Sequence, residues 1–263
     1  MKLLKLEWYK LKSYRTFYVL LGLFTVFFVL INYGMLESQF GVQTSGGGSI
    51  NVLSNNYSFP EVWANLGYYY GWMMIFVCIA VVISITNEFR YRTHRQNIID
   101  GLSRNDFLHS KVWLVLGLNV VMLLIYLMAG FVFGFAGDNE FTTDGMENVF
   151  YAFVMGMNYL GFSAMLAFLL KRSGLAITLL LAFVVFENVI IKLIQKFTEL
   201  DLSDYFPLEC SDSLFEFPLS QTTKMAIAQG GEATPVLTYI VISLVYVALY
   251  YGVVRWKLSK ADL

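Results

Sequence analysis

Six long apolar runs constrain this chain more than any other feature of its sequence. A bilayer's hydrocarbon core is about 30 Å thick and takes roughly 20 helical residues to cross. The runs Phe17 to Met35, Leu66 to Ile85, Trp113 to Ala136, Val149 to Leu170, Gly174 to Ile194 and Val236 to Val254 all meet that length. Of the 263 residues, 57% are hydrophobic and 14% are charged, whereas a soluble domain has about a quarter of its residues charged. The sequence therefore predicts an all-α integral membrane protein with six transmembrane helices in a single domain over residues 1–263. The segments between the runs are too small to hold a core of their own. Lys2, Lys5, Lys10 and Lys12 precede the first run as they would in a signal peptide. That run is longer than a signal's apolar region and no small-x-small cleavage pattern follows it, so an uncleaved first span is expected.

The charges predict an orientation. Six spans put both termini on one side, together with residues 86–112 and 171–173, and 15 of the 18 basic residues fall there. By the positive-inside rule that side is cytoplasmic. Of the 19 acidic residues, 13 fall on the opposite side and one, Glu187, within a span.

Residues 1–16, "MKLLKLEWYKLKSYRT", read as an interfacial helix, with Leu3, Leu4, Trp8, Leu11 and Tyr14 on one face and Lys2, Lys5, Lys12 and Ser13 on the other. Glu7 and Lys10 intrude on the apolar face. Such a helix would lie on the inner leaflet with its lysines near anionic headgroups. The loop after the first span contains "TSGGGSINVLSNNYS", too flexible and polar to be expected to pack as an element. The last outer loop, residues 195–235, alternates acids with apolar residues, which predicts short helices or a re-entrant segment packed on the outer mouth. Cys78 and Cys210 lie far apart in chain and character, so neither a disulfide nor a metal site is expected of them.

The polar stretch between the second and third runs, "NEFRYRTHRQNIIDGLSRNDFLHSK", is longer than turning the chain requires. It reads as a short helix over Thr93 to Ile99, ended at Asp100-Gly101. A second helix then starts with Ser103 as its cap and Asp106 at the third position. Ile98, Ile99 and Leu102 form a small apolar edge among arginines, a pattern that suits docking to another protein.

In these residues the stretch resembles the coupling segment of the ATP-binding cassette type 2 transporter permeases. Glu88, Thr93, the Ile98-Ile99 pair, Ser103, Arg104 and Lys111 match that family's pattern in order, and the amphipathic start is similar to its N-terminal elbow helix. Two departures are Arg92, where Gly is commoner, and Gly101-Leu102 in place of a Pro-containing turn. The resemblance implies a membrane-spanning permease subunit in a bacterial cytoplasmic membrane, paired with a second permease copy as a homodimer or related heterodimer. A separate ABC ATPase, in two copies, would dock beneath it. ATP and Mg would bind that partner, no cofactor would bind this chain, and its other contacts would be membrane lipid and not nucleic acid. The chain has no GxxxxGK[ST] loop and no LSGGQ-like signature of its own. Glu88, Arg92, Thr93, Arg95, Ile98, Ile99, Leu102, Ser103 and Arg104 would then couple to the ATPase.

By the same resemblance the second and fifth spans face the dimer axis. That makes Met73, Phe76, Phe183 and Phe186 candidates for the substrate pathway, with an amphipathic or lipid-like cargo moved outward. Glu187 joins them because an intramembrane carboxylate is costly unless paired, protonated or cavity-facing; the alternative is a packing role near the outer end. Gly156, Gly161, Ser163 and Ala164 read as sites of close helix approach. Membrane-embedded catalysis would need convergent carboxylates, a His cluster or a nucleophile with its base, which one Glu and two cytoplasmic histidines do not supply. Two other readings stay open: a non-transporting scaffold or immunity-type membrane protein, and an ATPase-coupled mechanical transducer.

Overall fold

The computed structural model describes residues 7, 9–12, 14–37, 41–43, 49–51, 57–93, 101, 103–136, 140–198, 205–218 and 235–260. Six helices are long and apolar enough to cross a membrane: α1 (Arg15–Glu37), α2 (Glu61–Arg90), α3 (Arg104–Ala136), α4 (Glu147–Leu170), α5 (Ser173–Thr198) and α7 (Val236–Ser259). A four-residue helix, α6 (Glu209–Asp212), lies between the last two. Residues 7 and 9–12 are also helical. The chain is thus a multi-pass membrane protein. Its helices are joined at a basic end, where residues 91–103 and the α4–α5 junction lie, and at an acidic end, which carries α6.

Each helix outruns its apolar stretch, because backbone pairing continues through polar flanks that lie beyond the hydrocarbon. The longest extension at one end is that of α3, which starts at Arg104 and not at Trp113. There Ser103 and Asp106 form a capping box: the Asp106 amide donates to Ser103 Oγ at 3.1 Å, and the Ser103 amide donates back to Asp106 Oδ2 at 3.1 Å. Two otherwise orphaned amides are satisfied, so the helix nucleates before the apolar run begins. The connection expected over 86–112 is accordingly reduced to residues 91–103.

The loop after α1 contradicts its expectation. Gly41–Gln43 (β1) pairs antiparallel with Ser49–Asn51 (β2), Val42 opposite Ile50.

The interior is built on α2 and α4, whose side chains are buried around most of their circumference, while α1, α5 and α7 present long apolar faces outward. Buried polar groups lock these helices together. Tyr126 Oη on α3 donates to the Trp63 carbonyl on α2 at 2.6 Å, and Asn119 Nδ2 donates to the Phe153 carbonyl on α4 at 2.9 Å. Such bonds hold register where no hydrophobic force distinguishes a helix surface from lipid.

Candidate functional site

At the basic end two carboxylates and two ammonium groups meet. Lys111 Nζ on α3 lies 2.8 Å from both Glu7 oxygens and 2.6 Å from Glu88 Oε1 at the end of α2. Lys10 Nζ lies 2.8 Å from the same Glu88 oxygen and 3.6 Å from Glu7 Oε1. Glu7 is 3% exposed and Lys111 1%, so both are desolvated and each needs the other. The cluster is neutral as a whole. Leaving any one of its buried charges unpaired would cost several kcal/mol, on the order of 3–5.

The cluster thus ties three segments together: the N-terminal turn, the last turn of α2 and the first turns of α3. The last two bracket residues 91–103. Asn87 Nδ2 adds a bond to Tyr14 Oη at 3.1 Å. Beneath the charges, Phe89, Phe107 and Phe168 pack edge to face, and the Lys111 and Lys171 ammonium groups sit 5.6 Å and 5.4 Å from the Phe107 and Phe89 rings.

Of the residues expected to couple, Glu88 is buried at the centre of this cluster. Thr93 Oγ1 donates to the Glu88 carbonyl at 3.4 Å, a long bond. Ser103 forms the cap of α3, and Arg104 is that helix's first residue. Arg92 is exposed with φ +57°. That left-handed backbone suits Gly. Gly101 has φ +98°, a left-handed backbone that suits glycine. Arg95, Ile98, Ile99 and Leu102, and the expected helix beyond Thr93, lie outside the described residues. Glu7 and Lys10 were visible in the sequence only as intruders on an apolar face. That misfit was the signal for them, since a charge on a buried face needs an opposite charge from elsewhere.

The pathway candidates are not brought around one space. Met73 and Phe76 are half-buried on α2, and Phe76 stacks on Phe27 of α1 at 5.7 Å. Phe183 packs against Phe162 of α4 at 4.8 Å, while Phe186 is 55% exposed on the outward face of α5. Glu187, 3% exposed, accepts the Leu208 amide at 2.9 Å and the Glu209 amide at 3.4 Å. It therefore pins the start of α6.

The segment carrying α6 enters the bundle from the acidic end. Tyr159 Oη donates to Asp212 at 2.8 and 2.9 Å, and Tyr159 lies twelve residues into α4, roughly three turns. Asn158 Nδ2 donates to the Pro207 carbonyl at 2.6 Å and to Ser211 Oγ at 3.0 Å, and Cys210 Sγ meets Ser243 Oγ of α7 at 3.4 Å. The Phe215 ring occupies the space that a side chain at Gly67 would need. Residues 205–217 thus form a packed plug against α2, α4, α5 and α7, carrying the short helix α6; the expectation was short helices or a re-entrant segment over 195–235, of which residues 199–204 and 219–234 lie outside the described residues. Burial pushes the Cys210 thiol up to about 11. Burial first, and then the Glu209 and Glu187 carboxylates, hold Asp212 well above the usual carboxylate range; the Tyr159 hydrogen bond pulls the other way. Among the described residues no group of three or more His, Cys, Asp or Glu side chains is placed to hold a metal ion.

Six apolar helices, a neutral charge clamp at one end and a packed plug at the other define a polytopic membrane protein. A family model described as "Protein of unknown function (DUF2705)" matches residues 26–263, and the chain belongs to that family. No curated protein matches it.

Proposed function

We propose that this chain is the membrane-spanning subunit of an ATP-binding cassette transporter in a bacterial cytoplasmic membrane. It works as a dimer of permease subunits driven by a separate ATPase, with ATP and Mg bound on that partner and no catalysis on this chain. Both termini and residues 91–103 face the cytoplasm, the N-terminal segment is an elbow on the inner leaflet, and residues 91–103 dock on the ATPase. The observation that carries this reading is the clamp of Glu7, Lys10, Glu88 and Lys111. A buried four-charge junction that fastens both flanks of a basic loop to the bundle is what a loop needs if it is to move helices and not merely connect them. ATP-driven closure of the ATPases displaces the loop, the clamp carries the displacement to α2 and α3, and the paired subunits open to the opposite side. An amphipathic or lipid-like cargo fits the apolar, aromatic faces of α2 and α5 that a second copy would enclose.

One observation favours a second reading. Phe76 and Phe183 are packed against neighbouring helices of the same chain, which supports a transducer that uses ATP hydrolysis to do mechanical work on another protein with nothing transported. Both readings require the ATPase. The variant Arg104→Glu with Ile98→Asp should insert normally but lose ATPase binding and stimulation; full stimulation by that variant would end the coupling assignment.

A further inference from the structure

A cavity of about 340 Å³ lies between α3, α4 and α7 in the half of the bundle toward the basic end. Its floor is a stripe of α4, Met157, Gly161, Ala164, Met165 and Phe168, at the spacing of one helical face. Its walls are α3 and α7, which both lean on α4 more than on each other. Gly161 and Ala164 carry too little side chain to close the gap, and the lining is apolar apart from Lys111 and two tyrosines. Along α4 the stripe runs eleven residues, roughly 16 Å at the helical rise. That is close to half of a hydrocarbon core of about 30 Å, the depth of one leaflet.

The end of the groove nearer residue 111 is polar and cationic. His109 Nε2 and Tyr251 Oη meet across it at 3.4 Å, joining α3 to α7. Lys257 continues the Val254 stripe by one turn, Arg255 is exposed beside it, and Arg172 is exposed just past the end of α4. None of these three forms an ion pair with a described residue. Among the described residues, the carboxylates at this end are already engaged, Glu7 and Glu88 by Lys10 and Lys111, and Asp106 by Ser103. Trp113 and Trp256 are exposed at this level, and the Lys260 ammonium sits 4.5 Å from the Trp256 ring centroid. Exposed tryptophans and snorkelling lysines mark the headgroup region.

We infer that this groove is a binding site for one acyl chain of an anionic glycerophospholipid, whose headgroup rests on the cationic rim of Arg172, Arg255 and Lys257. An apolar slot of one-leaflet depth takes the chain, and the unpaired cations select the charge, each basic residue near a membrane surface contributing about 1 kcal/mol. The site lies away from the pathway candidates on α2 and α5, and it does not rest on the transport reading. A lipid there wedges α7 from α3 beside the charge clamp, so it would regulate or stabilise the bundle and not be its cargo.

The test uses the full chain reconstituted in vesicles with spin-labelled phosphatidylglycerol or phosphatidylcholine. The immobilised fraction should be greater for phosphatidylglycerol by about one lipid per chain. Ala164→Phe, which fills the floor, and Ala248→Phe, which narrows the α7 wall, should each abolish that excess; the pair guards against one variant failing to fold. Arg255→Gln with Lys257→Gln should make the two lipids equal. Equal immobilisation of both lipids by the unaltered chain, or an excess that survives both filling variants, would overturn the assignment.

Discussion

Lys111→Met is the most informative single change at the charge clamp. The Lys111 side chain is 2% exposed and holds Glu7 through both oxygens and Glu88 through one. Methionine keeps most of the length and packing but removes the charge. Two buried carboxylates then share Lys10, which is 33% exposed and already 2.8 Å from Glu88, and Glu7 keeps only the longer 3.6 Å contact to it. Breaking a buried pair in this way costs about 3–5 kcal/mol. The weakest attachment in the cluster is the N-terminal turn, so the cost should appear as its undocking. Trypsin cleavage after Lys10 or Lys12, followed by mass spectrometry of the released peptide, reads that opening directly. When opening is fast relative to cleavage, the rate tracks the open population and should rise by roughly two to nearly four orders of magnitude. Adding Glu7→Gln restores neutrality, so the double variant should cleave more slowly than Lys111→Met alone. The reasoning is refuted if Lys111→Met cleaves within about threefold of the parent, or if Glu7→Gln worsens it additively, as independent sites would.

Three further outcomes are expected. Arg92→Gly should stabilise the bundle by about 1 kcal/mol or less, because the left-handed backbone at φ +57° penalises any side chain; denaturant titration in mixed micelles checks the sign. Gly67→Val should dislodge Phe215 and with it the plug, at a cost of about 1–3 kcal/mol, and Phe215→Ala in the same chain should recover part of that loss. Asp212 is raised when the plug is docked, so the docked form holds a proton that the undocked segment releases. Its stabilisation is complete below the ordinary aspartate range near 3.9 and is lost as pH rises toward the raised value. Thermal stability should fall as pH rises above the ordinary aspartate range in the parent, and less steeply in Asp212→Asn.

How much of this was readable beforehand divides by range. The six spans follow from runs of neighbouring residues, and so do the cap at Ser103 and Asp106 and the turn at Gly101, because the physics that fixes them acts within a few positions. The charge clamp does not, since Lys111 and Glu7 are 104 residues apart. The sequence could mark Glu7 and Lys10 as misplaced, but not name what they meet. Glu187 was legible as a carboxylate in need of a partner, while its partners, the Leu208 and Glu209 amides, are backbone groups that no side-chain pattern reveals. The β1–β2 ribbon was hidden because the Gly/Ser tract dominated the local composition, while the pairing of Gly41–Gln43 with Ser49–Asn51 is made by backbone groups. The groove between α3, α4 and α7 was half visible: Gly161 and Ala164 read as sites of close helix approach, and the space they leave depends on how far α7 stands from α3.

The central claim is that residues 91–103 and the clamp behind them serve a separate motor. Its most direct test is to isolate the tagged chain from its native membrane in mild detergent and identify by mass spectrometry what accompanies it. The account predicts a P-loop ATPase in near-stoichiometric amount, lost when Arg104→Glu and Ile98→Asp are introduced although the chain still inserts. Recovery of the chain without any such ATPase across several mild detergents would contradict it and favour a membrane scaffold whose basic loop has another partner.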